Sequence, residues 1–190
     1  MKQVFNVACF VTILLAPVIV FGQKTFISLG PELALPAHYN QSNNNRGIGI
    51  GGSVRLESSW DKHISGIATV GYLSFAKTNP LASYPTYTNQ VNETVIQLGI
   101  KYYTKPKTVN PTGVFFTGEA GLMPTSTHIT YTNGSKQNRK ESGLSVALGS
   151  GYQYKNIECS FRLQYNLSAV GYHVYYYNFR LAYSFLNRKK

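Results

Sequence analysis

The sequence is short of charged residues, of acids in particular, and of cysteine. Charged residues make up 13% of its 190 residues, and only 7 acids accompany 18 lysines and arginines. A typical soluble domain has about 25% charged residues, so an entirely water-facing surface is disfavoured. A hydrophobic fraction of 43% argues against a disordered chain. The length suits one domain.

Long apolar runs are also scarce. The one long example, residues 7–21, follows Lys2 and is broken by Gly22. This arrangement is typical of a secretory signal, so we predict that residues 1–22 are a cleaved signal peptide and that residues 23–190 are the exported domain. A retained anchor helix is the alternative interpretation. The rest of the chain lacks the run of about 20 apolar residues that a transmembrane helix needs.

Cysteine is limited to Cys9, inside the predicted signal, and Cys159. A single cysteine in the exported domain excludes a fold held by intrachain disulfides, so burial and hydrogen bonds must stabilise it. The four histidines are scattered without metal-site spacing. We therefore predict no metal site and no cofactor.

The sequence does have a period-two alternation of apolar and polar residues, repeated eight times. It is clearest in residues 157–167 and 173–185, where apolar side chains occupy the odd positions. Alternation places successive side chains on opposite faces of a strand. In residues 64–75 either face could be the apolar one. The other copies lie at 27–35, 48–57, 96–102, 116–122 and 144–153.

Strand and connection lengths favour a membrane barrel. Strands of about 10–13 residues match the 9–11 residues that a tilted strand needs to cross a bilayer, whereas most strands average about 5–6. The connections alternate in length, and outer-membrane barrels have long outer loops and short periplasmic turns. Both chain ends are therefore expected in the periplasm. The predicted outer loops are 36–46, 76–92, 124–140 and 168–172, and the predicted turns are 60–63, 105–112 and 155–156.

Charge indicates which face of the strands meets lipid. The apolar face carries no charge on any strand, whereas the polar face is rich in glycine and serine and carries the charges. Eight strands enclose a space only just wide enough for side chains. We therefore predict an all-β fold, an eight-stranded antiparallel up-and-down transmembrane β-barrel with its apolar face outward. A soluble β-sandwich is the alternative interpretation.

Four acids and four bases fall on the predicted inward face, which would make the lumen neutral. Isolated ions in a narrow lumen would be poorly solvated, so we predict a salt-bridged network that closes a polar lumen. A narrow polar path is the alternative interpretation. The predicted network comprises Glu32, Arg55, Glu57, Lys101, Glu119, Glu158, Arg162 and Arg180.

Aromatic and basic residues gather near the predicted strand ends. The aromatic set is typical of interface girdles, and bases at the rims suit lipid phosphates rather than nucleic acid. The five bases and two acids of the outer loops indicate lipopolysaccharide contact or an ordinary solvated rim. The girdle set is Trp60, Tyr102, Tyr152, Tyr154, Tyr175 and Tyr183. The outer-loop charges are Arg46, Lys77, Lys136, Arg139 and Lys140 against Glu93 and Glu141.

Several features resemble the small outer-membrane barrels of the OmpX and OmpA-barrel group, in the version common in Bacteroidota. They are the Gln23-Lys24 start after the signal, the Gly-spaced early strands, and the closing strand YYYNFRLAYSF that ends on Phe185. The resemblance covers nearly the whole exported domain. It implies a location in the outer membrane of a Gram-negative cell envelope, and recognition of Phe185 by the barrel-assembly machinery. Five residues follow Phe185 here.

Three function classes remain open. The first is a structural or surface-interaction barrel whose outer loops contact lipopolysaccharide or another surface ligand. The second is a narrow porin-like channel, and the third is a lipid A-modifying enzyme. His63 and Ser65 have a spacing that could support a base beside a nucleophile, but they fall at the periplasmic end. His128 has no partner that the sequence defines, so we predict that the chain is not an enzyme.

Overall fold

In the computed structural model the chain forms a closed eight-stranded antiparallel barrel, which confirms the predicted fold class. Each strand pairs with its neighbours in sequence, and β1 pairs with β8 to close the barrel. The strands are β1 (Thr25–Ala37), β2 (Gly49–Ser59), β3 (Ile64–Asn79), β4 (Tyr87–Tyr103), β5 (Thr112–Tyr131), β6 (Lys136–Tyr154), β7 (Ile157–Ser168) and β8 (His173–Asn187).

The structure describes residues 25–37, 47–79, 87–106, 112–168 and 173–187. The predicted signal peptide, residues 1–22, lies outside these ranges and stays a prediction. Within them, no helix has the length and apolar character needed to cross a membrane.

The apolar face of the barrel points outward, as the alternation predicts. On β7, Leu163 is 42% exposed, whereas its neighbours Arg162 and Gln164 are 2% and 0% exposed. Ile50 on β2 and Leu148 on β6 are each 67% exposed. A continuous apolar belt of this kind is unfavourable in water, so the outer surface is suited to lipid.

Strand β3, whose apolar face the alternation left open, turns bulky apolar residues inward. Leu73 and Phe75 are 1% and 0% exposed, while Val70 is 45% exposed. The register determines these faces, because Thr69 lies directly opposite the inward Arg55 and paired residues share a face. The lumen therefore contains bulky apolar side chains beside the predicted polar and charged ones.

Two aromatic rings fit inside the narrow lumen because a glycine lies directly opposite each of them. Gly49 pairs with Phe75 across β2 and β3, and Gly151 pairs with Phe115 across β5 and β6. A Cβ atom at Gly49 would lie 2.3 Å from the Phe75 ring, and one at Gly151 would lie 2.4 Å from the Phe115 ring. Either Cβ would clash, so these glycines provide space for the rings.

The predicted outer loop at 124–140 is instead a β-hairpin. Strand β5 continues to Tyr131 and β6 begins at Lys136, with paired residues along both extensions. The nine residues from Met123 to Tyr131 extend β5 by about 30 Å along the strand. This outer hairpin, residues 123–143, therefore stands above the apolar belt on one side of the barrel.

The neighbouring strands also extend into predicted loop regions. β3 reaches Asn79 and β4 begins at Tyr87, so most of the predicted loop 76–92 is strand. Residues 38–46 and 80–86 lie outside the described ranges. The turn predicted at 60–63 agrees with the structure, as does the turn predicted at 155–156.

Candidate functional sites in the lumen and on the outer hairpin

The lumen contains a buried cluster of ion pairs centred on Glu158. All eight side chains of the predicted charge network point inward, and none is more than 6% exposed. The Glu158 carboxylate accepts hydrogen bonds from Arg55 at 2.9 Å, from Lys101 at 2.7 Å and from Arg180 at 2.9 Å. Three cations therefore share one buried carboxylate.

Two further acids extend the cluster across the lumen. Glu119 accepts hydrogen bonds from Arg55 at 2.9 Å and from Arg162 at 3.3 Å. Glu32 accepts one from Arg162 at 2.8 Å. Because a guanidinium group can donate to two carboxylates in its plane, each Arg joins acids from different strands. With Lys101 and Arg180, the ion pairs thus connect β1, β2, β4, β5, β7 and β8 into one network.

A layer of aromatic and amide groups adjoins the network at the end of the barrel where β1 begins and β8 ends, which we call the periplasmic end. The Lys101 ammonium lies 3.1 Å from Glu57 and 4.0 Å from the centroid of the Phe115 ring. The Tyr103 hydroxyl lies 3.0 Å from Glu57 and donates to Gln153 at 2.8 Å. These contacts place side chains across the lumen at its periplasmic end.

An apolar layer occupies the opposite, outer end of the lumen. Phe75 and Tyr176 stack with their ring centroids 5.0 Å apart, and both are fully buried. Leu73, Val91 and Ala34 pack in the same cluster. Apart from the Tyr176 hydroxyl, the side chains of this cluster offer water and ions no polar partner, so the layer disfavours their passage.

The prediction that Glu93 belongs to an outer loop is wrong. Glu93 lies on β4 and faces the lumen, where it is buried and accepts a hydrogen bond from the Tyr176 hydroxyl at 3.0 Å. The error arose because β4 begins six residues earlier, at Tyr87. The described buried charges are therefore five acids against four bases rather than four against four. The acids are Glu32, Glu57, Glu93, Glu119 and Glu158, and the bases are Arg55, Lys101, Arg162 and Arg180.

The predicted girdle residues all lie near strand ends, but five of the six lie at the periplasmic end. Only Tyr175 lies at the outer end, where it packs against Tyr165 with ring centroids 4.7 Å apart. Tyr72 on β3 is 50% exposed and also lies towards the outer end. The sequence did not predict Tyr72 as a girdle residue, because the alternation did not determine which face of β3 points outward. The five at the periplasmic end are Trp60, Tyr102, Tyr152, Tyr154 and Tyr183.

Phe185 lies on the outward face of β8 and is 53% exposed. It packs edge-on against Tyr183, with ring centroids 4.9 Å apart. Its recognition by the barrel-assembly machinery stays a prediction.

The two histidines considered for catalysis have different surroundings. His63 lies in the periplasmic turn between β2 and β3, where its Nδ1 is 2.8 Å from the Tyr103 carbonyl oxygen. Ser65 is buried on the inward face of β3. His128 lies on the outer hairpin and has two side-chain partners that the sequence did not define, Ser126 and Asn138.

The contacts of His128 form a line of three polar groups. Its Nε2 lies 3.1 Å from the Ser126 Oγ, and its Nδ1 lies 2.7 Å from the Asn138 Oδ1. The sequence does not reveal this grouping, because Asn138 is brought opposite His128 by the hairpin register. Across the described ranges, no group of three or more His, Cys, Asp or Glu side chains could hold a metal ion.

No protein-family model and no curated protein matches this chain. Solved structures do match it, among them the attachment invasion locus protein Ail of Yersinia pestis in complex with the heparin analogue sucrose octasulfate. That match has a TM-score of 0.59 and 12% identity, and covers 85% of this chain and 98% of Ail.

Two Pseudomonas aeruginosa proteins are similar in the same way. The N-terminal β-barrel domain of OprF matches with a TM-score of 0.55 and 12% identity over 84% of this chain and 97% of that domain. The outer membrane protein OprG matches with a TM-score of 0.53 and 8% identity, over 88% of this chain and 97% of the OprG chain. At such low identity these similarities show the fold, which is that of the small outer-membrane β-barrels.

Proposed function

We propose that this chain, an outer-membrane β-barrel by its fold, is a surface protein with a closed lumen that contacts lipopolysaccharide through its outer hairpin. The observation that carries the proposal is the position of two lysines on the outward face of β6. Lys140 and Lys136 follow the apolar residues of that face, beyond the end of the belt.

The outward face of β6 changes from apolar to basic over a short distance. Leu148 and Leu144 are 67% and 57% exposed and mark the belt. Ser142 follows them, and Lys140, Asn138 and Lys136 come after it on the same face. Their flexible stems can place the ammonium groups among the phosphates of the outer leaflet. Arg139 lies on the other face, where it is ion-paired with Glu141.

The charge chemistry of one structural neighbour supports this proposal. Ail was solved with sucrose octasulfate, which carries several sulfate groups. The phosphates of lipopolysaccharide present clustered anionic groups in the same way. A pair of lysines beside the membrane is suited to either kind of group, because their attraction is electrostatic.

Replacing Lys136 and Lys140 together with glutamine should weaken binding of lipopolysaccharide to the detergent-solubilised barrel. A lysine near an anionic surface contributes about 1 kcal/mol, so the double variant should bind about 30-fold more weakly at low salt. Fluorescence titration with lipopolysaccharide would measure this change. The matched control replaces Lys62 and Lys155 together with glutamine, because these two lysines lie at the periplasmic end of the barrel. Equal affinity of both double variants and the unmutated protein would contradict the proposal.

Three layers of buried side chains support a closed lumen rather than a channel. The apolar layer at the outer end disfavours the passage of ions. The charged side chains of the network are ion-paired with one another. The buried Tyr103 and Phe115 rings narrow the periplasmic end of the lumen. The interior of an eight-stranded barrel is only just wide enough for such side chains. The geometry therefore favours a structural or surface-interaction role.

The unmutated barrel should show no large, steady conductance in planar bilayers, whereas Arg180→Ala should increase ion leakage. Arg180 donates to Glu158 at 2.9 Å and to the Ser28 and Ser53 hydroxyls at 2.9 Å and 2.8 Å, so its loss opens space among unpaired charges. Arg139→Ala on the outer hairpin should leave conductance unchanged. Large conductance of the unmutated protein would instead support a narrow channel.

A further inference from the structure

We propose that Ser126, His128 and Asn138 form a nucleophilic site that hydrolyses an acyl ester of an outer-leaflet lipid. Ser126 would be the nucleophile, His128 the general base and Asn138 the group that orients the imidazole. This activity is additional to the contact with lipopolysaccharide proposed above.

Strand geometry explains why these three side chains meet. Ser126 and His128 are two residues apart on β5, so they lie on the same outward face. Asn138 lies directly opposite His128 in the register of β5 and β6. Directly paired residues of an antiparallel ladder have their side chains side by side.

For a neutral His128 ring, the two contacts fit one arrangement of protons. The Asn138 Oδ1, at 2.7 Å, is an acceptor, so the His128 Nδ1 must carry the proton that it donates. The Nε2 of the neutral ring is then free of a proton and accepts a hydrogen bond from the Ser126 hydroxyl at 3.1 Å. A base oriented by a third group and bonded to a hydroxyl is the arrangement that activates a nucleophile.

Two hydrogen-bond donors flank Ser126 on the neighbouring strands. Asn92 of β4 lies directly opposite it on one side, and Lys140 of β6 lies directly opposite it on the other. The Asn92 Oδ1 accepts a hydrogen bond from the Ser74 hydroxyl at 2.8 Å, so its amide N–H groups remain to donate elsewhere. An amide N–H and an ammonium group are suited to stabilise the negative oxygen that forms when Ser126 attacks a carbonyl.

The depth of the site points to a lipid substrate. On the outward face of β5, Leu122 is 41% exposed and ends the apolar belt, Pro124 follows, and Ser126 is the next outward residue. Ser126 thus lies about 10 Å beyond Leu122 along the membrane normal, if the strand tilts by about 40°. The reacting hydroxyl therefore faces the lipid headgroups, where acyl esters are accessible, rather than the lumen.

The reaction consumes one water molecule for each ester bond. The Ser126 Oγ attacks the ester carbonyl carbon while its proton passes to the His128 Nε2, and the carbon–oxygen bond to the alcohol breaks. The alcohol leaves with the proton from Nε2, and the acyl group remains on Ser126. Water then attacks this acyl group and gives a proton to Nε2. The acid is released as the Ser126 Oγ takes the proton back.

A fluorophosphonate probe, which reacts with activated serine hydroxyls, would test the nucleophile in the folded, full-length barrel in detergent. Mass spectrometry should find the label on Ser126. Ser142, an exposed serine on the outward face of β6, should stay unlabelled. His128→Ala should lower the labelling rate at Ser126 about 100-fold or more, because the general base is lost. A heat-dependent mobility shift of each variant would show that it is still folded.

Hydrolysis of a long-chain phospholipid in mixed micelles would test the substrate. Ser126→Ala should abolish release of fatty acid, whereas Ser142→Ala should retain it. Equal release by both variants, or no labelling of Ser126 above Ser142, would overturn the proposal. Cleavage of only a short, water-soluble ester would overturn the lipid as substrate. These results are independent of lipopolysaccharide affinity, so failure here and failure of the proposed function are distinguishable.

Discussion

Leu163→Arg should impair assembly of the barrel into membranes far more than Gln164→Arg, although the two positions are adjacent on β7. Leu163 is 42% exposed and lies directly opposite Leu148 of β6, in the apolar belt. An arginine on the lipid face costs roughly 2–4 kcal/mol near the bilayer midplane. The measurement is the proportion of the protein in isolated outer membranes that shows a heat-dependent shift in gel mobility.

Gln164→Arg is the matched control for this prediction, because it introduces the same side chain on the other face. Gln164 is fully buried beside Asn166 and Asn178. The described buried side chains of the lumen include one more acid than bases, so an added cation meets a partly compensating environment. If both variants assembled equally well, or if Gln164→Arg were worse, the outward assignment of the apolar face would be wrong.

Glu158→Gln should be the most destabilising single-charge change in the lumen. The glutamine preserves the shape of the side chain but removes the negative charge that Arg55, Lys101 and Arg180 share. Breaking a buried ion pair by removing one partner typically costs about 3–5 kcal/mol, because the remaining charge is left uncompensated. The urea concentration at which half of the heat-modifiable form is lost in detergent should fall accordingly.

Glu141→Gln provides the comparison outside the lumen. Glu141 pairs with Arg139 on the outer hairpin, and the Arg139 side chain is 46% exposed. A solvent-exposed pair contributes about 0–1 kcal/mol, so the urea midpoint should change little. A similar loss of stability in both variants would show that the Glu158 cluster is no more important to the barrel than a surface ion pair.

The barrel itself could be predicted from the sequence because two environments impose opposite polarity on each strand. Lipid requires an uncharged face, and the narrow lumen accepts small and paired polar groups. Apolar and polar residues therefore alternate strictly along β7. The same reasoning placed all eight network residues on the inward face. It gave no answer for β3, where Ile67 and Leu73 face inward and Val70 faces outward, so both faces are apolar.

The outer hairpin was missed for a related physical reason. Above the membrane both faces of a strand meet water, so polar residues occupy both and no period-two contrast remains. Thr125, Ser126 and Thr127 therefore resemble a loop in the sequence, although they pair with Glu141, Lys140 and Arg139 in the structure. Strand β4 likewise begins earlier than predicted, at Tyr87. Glu93 is therefore a buried strand residue and not the predicted loop residue.

The sequence by itself determined the number of strands, the face of most strands and the inward position of the eight predicted charges, because these properties depend on each strand alone. Only the tertiary structure decided which charges meet. Arg55 and Glu158 are 103 residues apart in the chain, and the stagger of the closed barrel brings them to 2.9 Å. The contacts of Ser126, His128 and Asn138 likewise depend on the register of one hairpin. Register and closure are relations between strands, so no single strand's pattern contains them.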